Sequence, residues 1–159
     1  MVFLPPFSEE IFSEYINEEI QTQIAGFDLT TKEVMKLKKG GILDFDNNKR
    51  HIPEYKNINS KGNKWILKPG GYLIRYNEII QIPKNSIGLV LPRSSLMRCG
   101  ATLCSAVWDP GYKGRGIGLL IVTTKITLYE NTRIAQIILI KTEKSVSEGY
   151  SGTYQNENT

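Results

Sequence analysis

The chain has a single histidine, His51, and only two cysteines, Cys99 and Cys104, in 159 residues. That scarcity removes much familiar chemistry. A structural zinc site wants about four His or Cys ligands, so no transition-metal centre is expected. The cysteines are expected as buried small apolar residues in a reducing compartment rather than as metal ligands or a catalytic thiol. His51 stands in the polar stretch DNNKRHIPEYK, where an idle loop histidine is a simpler reading than a Ser-His-Asp or Cys-His arrangement. No run approaches the roughly 18 consecutive apolar residues of a membrane span. The first residues, MVFLPPFSEEIF, lack the basic region of a signal peptide. A cytoplasmic protein with no membrane partner is therefore expected.

What is present describes a folded chain. Hydrophobic residues make up 40% and charged residues 23%, the composition of a globular domain. The length suits one domain over residues 1–159. The net charge of +4 comes from scattered cations, not from a basic stripe interleaved with aromatics, so no nucleic-acid partner is expected. One short N-terminal helix is predicted. Ser8 would cap it, Glu9 and Glu10 would fill its first turn, and Ile11, Phe12, Tyr15, Ile16 and Ile20 would share its buried face.

Everything after that helix reads as strands, near 23–29, 42–45, 64–67, 71–81, 86–91, 101–108, 116–123, 126–129 and 133–141. Turn signals at Pro69-Gly70, Pro83-Lys84-Asn85, Asp109-Pro110-Gly111 and Glu130-Asn131 punctuate them. Short strands without alternating helices predict a mainly β protein, an antiparallel sandwich, jelly roll or small barrel. Residues 46–63 form a polar excursion loop. From about residue 143 a Ser-, Gly-, Asn- and Thr-rich tail is expected to be flexible, yet Tyr150 and Tyr154 suit a segment that closes over a ligand.

Two turns carry the chemistry. In Pro92-Arg93-Ser94-Ser95-Leu96 the serines could merely end a strand, or Arg93 could grip phosphate oxygens while the hydroxyls complete a cradle. Asp109-Pro110-Gly111-Tyr112 is a β-turn that presents a carboxylate able to act as a base and a ring able to pack on a sugar. The glycine-rich GYKGRGIG that follows matches neither the P-loop nor the dinucleotide pattern. Gln136, in an apolar run, is either a satisfied buried amide or a ligand contact.

In order, Ala25-Gly26-Phe27-Asp28-Leu29, Pro92-Arg93-Ser94-Ser95-Leu96, Val107-Trp108-Asp109-Pro110-Gly111-Tyr112-Lys113-Gly114 and Arg133-Ile134-Ala135-Gln136 resemble the first four motifs of the trimeric dUTPases. Ile66-Leu67-Lys68-Pro69-Gly70 and RSSLMR followed by DPG resemble still more the dCTP deaminase branch and its archaeal dUTPase relatives. The resemblance implies a distorted jelly roll that assembles as a homotrimer with active sites between subunits. It implies a dUTP diphosphatase, releasing dUMP and pyrophosphate and so cleaning the nucleotide pool while supplying dUMP for thymidylate synthesis. Asp109 would activate the water that attacks the α-phosphate. Mg²⁺ would be held mainly by the substrate's phosphates, with Asp28 touching its water shell.

By the same resemblance Arg93, Ser94, Ser95 and Gln136 would grip phosphates, and Tyr112 would exclude a 2′-hydroxyl. Backbone groups of 101–107, Ala106 included, would read uracil. A deaminase of this branch would need a glutamate where this chain has Leu119, and Leu120 beside it is aliphatic too, so deamination is rejected. A dCTP deaminase-like protein, or a nucleotide-binding regulator that no longer hydrolyses, is the alternative. Tyr154 and Gln155 fit the tail pattern of the branch, but Thr153 stands where a phosphate-binding lysine is expected, a contact that Lys125 or Lys144 could supply instead.

Overall fold

The structure, a computed structural model, describes residues 1–8 and 10–159. β1 (Val2–Phe3), β2 (Phe12–Ser13), α1 (Glu18–Gln21) and β3 (Thr22–Gln23) lead into the long β4 (Gly26–Leu37). β5 (Tyr55–Asn57), β6 (Lys64–Leu67), β7 (Gly70–Tyr76) and β8 (Ile79–Gln81) follow, then β9 (Ser86–Pro92), α2 (Ser94–Arg98) and β10 (Ala101–Cys104). β11 (Lys113–Gly114), β12 (Ile117–Val122), β13 (Ile126–Tyr129) and β14 (Arg133–Lys141) complete the order.

The main sheet runs β1-β14-β4-β7-β12-β10, with β3 and β5 added to β4 and β9 added to β14. A three-stranded sheet, β11-β8-β2, and a hairpin-like pair, β13-β6, close around it. The pairings are antiparallel, and the mainly β, distorted jelly-roll architecture expected from the strand pattern is what forms. Alternation explains which faces meet. In β12 Gly118, Leu120 and Val122 point inward while Leu119 and Ile121 point out, and β13 alternates likewise. Leu29, Ile74, Tyr76, Leu120, Ile134, Ile137 and Leu139 form the fully buried centre. Each such side chain contributes about 1.5–3 kcal/mol from burial.

A short N-terminal helix is present, but at Glu18–Gln21, where the Asn17 side chain accepts from the Ile20 amide; Ser8 does not cap it. The predicted apolar stripe could not have been buried as one face. Ile16 and Ile20 are more than half exposed, whereas Phe12 leaves the stripe to stack on Phe27 at 4.3 Å from strand β2. Glu9, expected in the first turn of that helix, lies outside the described residues. The strand predicted at 42–45 reduces to one bridge between Ile42 and His51, with Leu43 and Phe45 in solvent. The 101–108 run stops at Cys104, after which Trp108 alone bridges to Gly88. Cys99 and Cys104, expected in the interior, are both exposed free thiols because they fall at the end of α2 and of β10. No helix among the described residues is long and apolar enough to cross a membrane.

Candidate active site

Two clusters hold the predicted site residues. The first surrounds Asp28, fully buried on β4. Its Oδ2 is ion-paired with Arg93 Nε at 3.1 Å and accepts from Arg133 Nη1 at 3.2 Å, and its Oδ1 accepts from Gln136 Nε2 at 3.3 Å. Burial raises the Asp28 pKa above its ordinary value, while Arg93 and then Arg133 pull the other way. Strand pairing creates this cluster. Gln136 on β14 lies opposite Asp28 on one side and Leu91 of β9 on the other, and Arg93 follows the end of β9.

Arg133 is a member that residue-by-residue reasoning did not assign. Residues three apart in a regular strand face opposite sides, so Arg133 and Gln136 should not meet one carboxylate. A register shift between Arg133 and Ala135 turns Arg133 onto the same face, as bulges do. The only sequence signal was the R-x-x-Q spacing itself. Gln136 is thus an amide bonded to Asp28, and its half-buried position leaves it beside the two guanidinium groups. Ser94 and Ser95 open the short helix α2 with exposed side chains, next to Arg93.

The second cluster forms around Asp109. The Tyr112 amide donates to Asp109 O at 3.1 Å, Pro110 fills the second turn position, and Gly111 has φ 80°. That is the pattern of a type II turn, where the third residue needs a positive φ. A side chain at Gly111 would also strike Gly149 Cα at 2.6 Å, so tail and turn pack directly. The turn is pinned to β8 by Gly111 N on Ile82 O at 2.9 Å and Ile82 N on Tyr112 O at 2.8 Å.

Asp109, exposed, borders a cavity of about 500 Å³. Ala106, Val107, Trp108 and Tyr112 line it beside Ile52, Pro53 and Tyr55 of the excursion loop, with Tyr150, Tyr154 and Glu157 of the tail. Trp108 stands edge-on to Tyr112 at 5.1 Å, and Tyr112 meets Tyr150 at 5.8 Å. Gly116 is required beneath the indole, because a Cβ there would lie 2.4 Å from Trp108 Cη2. Gln155 donates to Gly111 O at 3.1 Å and accepts from the Lys113 amide at 3.0 Å.

The clusters are not one site within a single chain. Trp108 bridges to Gly88, whereas Arg93 follows Pro92 at the far end of β9. Four strand rises separate Gly88 from Pro92, about 13 Å at roughly 3.3 Å each. None of Asp28, Arg93, Ser94, Ser95 and Gln136 lines the cavity. Leu119 is partly exposed on β12 and Leu120 is fully buried, so neither brings an ionisable group to the Asp109 turn. Near Thr153, whose Oγ1 accepts from Arg50 Nη2 at 3.4 Å, the cation comes from the excursion loop; Lys125 and Lys144 are exposed on other segments.

Among the described residues no three His, Cys, Asp or Glu come together to hold a metal. Asp28 is the one carboxylate in the arginine cluster, and its oxygens are already engaged by the Arg93 ion pair and by hydrogen bonds from Arg133 and Gln136. The donor set therefore fits an ion brought by a polyphosphate and touched through water, not one caged by protein oxygens.

A jelly roll that pairs an arginine–amide cluster with an aspartate turn beside an aromatic-lined cavity defines a β-fold nucleotide-handling class. Comparison with known proteins narrows the class. The family described as "dCTP deaminase-like" matches residues 8–142, and the chain belongs to it. A protein of Methanocaldococcus jannaschii named "Deoxyuridine 5'-triphosphate nucleotidohydrolase" is 44% identical over 140 residues, 87% of this chain and 89% of that one. A Methanosarcina acetivorans protein named "Probable deoxyuridine 5'-triphosphate nucleotidohydrolase" is 44% identical over 147 residues, 91% of this chain and 86% of that one. Among solved structures, the 2'-deoxycytidine 5'-triphosphate deaminase of Agrobacterium tumefaciens shares the fold with TM-score 0.62 at 16% identity, over 84% of this chain. This chain spans 44% of that deaminase's length. The EIAV dUTPase shares the fold with TM-score 0.53 at 18% identity, over 90% of this chain and 97% of that one.

Proposed function

We propose that this chain is a dUTP diphosphatase. The observation that carries the reading is the contrast between two positions: a carboxylate, Asp109, on a rigid turn at the edge of the cavity, and a leucine, Leu119 on β12, where a deaminase needs a proton carrier. A leucine cannot shuttle a proton to the base, but an exposed aspartate can take one from water. The similarity to archaeal proteins bearing the dUTP nucleotidohydrolase name supports the same choice.

In this reading Asp109 accepts the proton of a water whose oxygen attacks the α-phosphorus. The bond from that phosphorus to the bridging oxygen breaks, and pyrophosphate leaves with the electron pair. Arg93, with Arg133 and Gln136, turns toward phosphate oxygens and balances the charge there, since forked guanidinium groups suit such oxygens. Ser94 and Ser95 add hydroxyl donors. When bound with the triphosphate, Mg²⁺ would supply charge neutralisation through phosphate oxygens, and Asp28, relieved of its arginines, would accept from a water of its shell. Trp108 and Tyr112 wall the nucleoside, backbone groups around Ala106 read uracil, and Tyr154 with Gln155 closes the tail over it as a mobile lid.

The distance between the two clusters supports an assembly in which one copy's arginine cluster meets another copy's Asp109 turn, as a homotrimer would provide. A cytoplasmic location fits an enzyme acting on free nucleotides. The test is pyrophosphate release from dUTP with Mg²⁺, and its fall by about 10²–10⁴ in Asp109→Asn, the usual contribution of a positioned base. Tight dUTP binding without turnover in the wild type refutes the proposal.

A further inference from the structure

Arg115 is the one arginine counted among the buried polar residues, only 4% exposed, and it sits just beyond the Asp109 turn. Its bonds converge on the last residues of the chain. The Arg115 amide donates to Glu157 O at 3.0 Å, its Nε donates to Asn158 O at 3.1 Å, and its own carbonyl accepts from Asn158 Nδ2 at 3.1 Å. Its Nη2 pairs with Glu14, a residue whose backbone takes φ 55° to present the carboxylate. Burying a guanidinium is costly unless its donors are filled. Here the guanidinium is satisfied from two sides, by the Asn158 carbonyl and by the Glu14 carboxylate, while the Arg115 backbone is held by Glu157 and Asn158.

The tail is shaped for this contact. Asn156 and Asn158 both adopt left-handed φ, 58° and 55°, which asparagine tolerates better than most residues. Between them Glu157 pairs in parallel with Gly114, and the Asn156 amide donates to Lys113 O at 2.8 Å. This register sets Glu157 Oε1 2.9 Å from the Tyr112 hydroxyl, which donates to it. Burial, and then the nearby Glu157 charge, push the Tyr112 phenol up, so it remains a protonated donor. Gly114 cannot carry a side chain without meeting that hydroxyl at 2.6 Å, so the ring is held from below as well.

We propose that Glu157, anchored through Arg115, is a positioning residue that locks the Tyr112 ring, so that the chain's C-terminus sets discrimination between deoxyribo- and ribonucleoside triphosphates. The proposal rests on the reading that places Tyr112 against the sugar. An aromatic wall rejects one added hydroxyl sterically, and rejection is strong only where the wall cannot yield. Two hinges would let this ring yield: loss of the Glu157 acceptor, or loss of the register that carries it.

The test compares dUTP and UTP in the wild type, Glu157→Ala, Glu157→Gln, and a chain ending at Asn156. Specificity is read from kcat/KM, and also from Kd by calorimetry, which needs no turnover. Thermal melts and hydrogen exchange of the amides at 112–115 report whether each variant is folded. The dUTP-to-UTP ratio should fall at least tenfold in Glu157→Ala and in the shortened chain, and should survive in Glu157→Gln, whose carbonyl still accepts from Tyr112. A ratio within twofold of wild type in folded Glu157→Ala overturns the proposal, as does equal loss in the Gln and Ala variants. Wild-type protein that binds dUTP but never releases pyrophosphate refutes the assigned reaction instead, and the Kd ratios then decide the role of Glu157 alone.

Discussion

Asp28→Asn separates stability from function at the arginine cluster. Asparagine keeps the shape and leaves an oxygen for Gln136, but it presents an amide to Arg93 and Arg133. Arg133 thereby loses a charge-assisted bond, worth about 1.5–3 kcal/mol when well formed, and Arg93 loses its ion pair. That figure must be reduced here. The two side chains are 27% and 32% exposed, so water recovers part of the loss. Arg93 also keeps its bond to Arg133 O at 3.3 Å, and Arg133 keeps its bond to Ile20 O at 2.9 Å. A combined loss of about 1–3 kcal/mol is left.

Against it stands removal of a charge from a position with no exposed surface, where desolvation costs several kcal/mol per ion. Burial outweighs both arginines in the direction of the Asp28 pKa, so the ionised carboxyl is less comfortable here than in water. The two contributions nearly cancel, and Asp28→Asn should change unfolding free energy by no more than about 1 kcal/mol at pH 7. The sign with pH follows from the raised pKa: the stability Asp28 contributes is full below its unfolded pKa and is lost as pH rises through the folded one. The variant lacks that slope, so it should look worst in acid and gain on wild type as pH rises. Urea denaturation at several pH values measures this, and kcat/KM for dUTP should meanwhile fall about 10–100-fold, as when an outer-shell partner is lost. Destabilisation above about 3 kcal/mol at pH 7, the range for orphaning a buried ion, would refute the argument.

Two further outcomes are expected. Glu78, fully buried, accepts from Thr30 N, Thr30 Oγ1 and Gln21 Nε2, so Glu78→Gln sets an amide against donors and should cost about 1–3 kcal/mol. Because burial raises the Glu78 pKa from its ordinary 4.5, the wild type loses stability as pH climbs through the folded value, and the gap between the two proteins in urea melts should narrow over that window; a constant gap contradicts the assignment. Arg50→Ala, which removes the loop cation from Thr153, should raise KM for dUTP about fivefold, the equivalent of roughly 1 kcal/mol, with kcat little changed. Unchanged KM would show that the excursion loop does not steady the tail.

Local rules made most of the strand pattern legible. Short apolar runs marked β12 and β13, and turn residues marked Pro69-Gly70 and Asp109-Pro110-Gly111. They failed where distant packing decided the outcome. Phe12 abandoned an acceptable helical stripe because Phe27 offered a ring to stack on. The β4 strand runs on through Thr30, Thr31, Lys32 and Glu33 because β7 pairs with it there, although nothing apolar announces those residues. Conversely, Ile42, Leu43 and Phe45 read as a strand and are left in solvent.

The same division runs through the site. Arg93, Asp109 and Gln136 could be singled out by residue type, but the choice between a structural and a ligand role came from the resemblance of their motifs. Arg133 could not be, since it reaches Asp28 only through a bulge that depends on β4 pairing. Arg115 and Glu157 were hidden more deeply. One lay in a glycine-rich segment that matched no phosphate loop, and the other in a tail whose composition argued for disorder. What joins them is a parallel bridge between Gly114 and Glu157, a contact between positions 43 apart that no local window contains. Groups that do chemistry can be recognised by their type, whereas groups that hold them still are chosen by pairing. The tail is therefore where variation between relatives should change selectivity without touching the reacting residues.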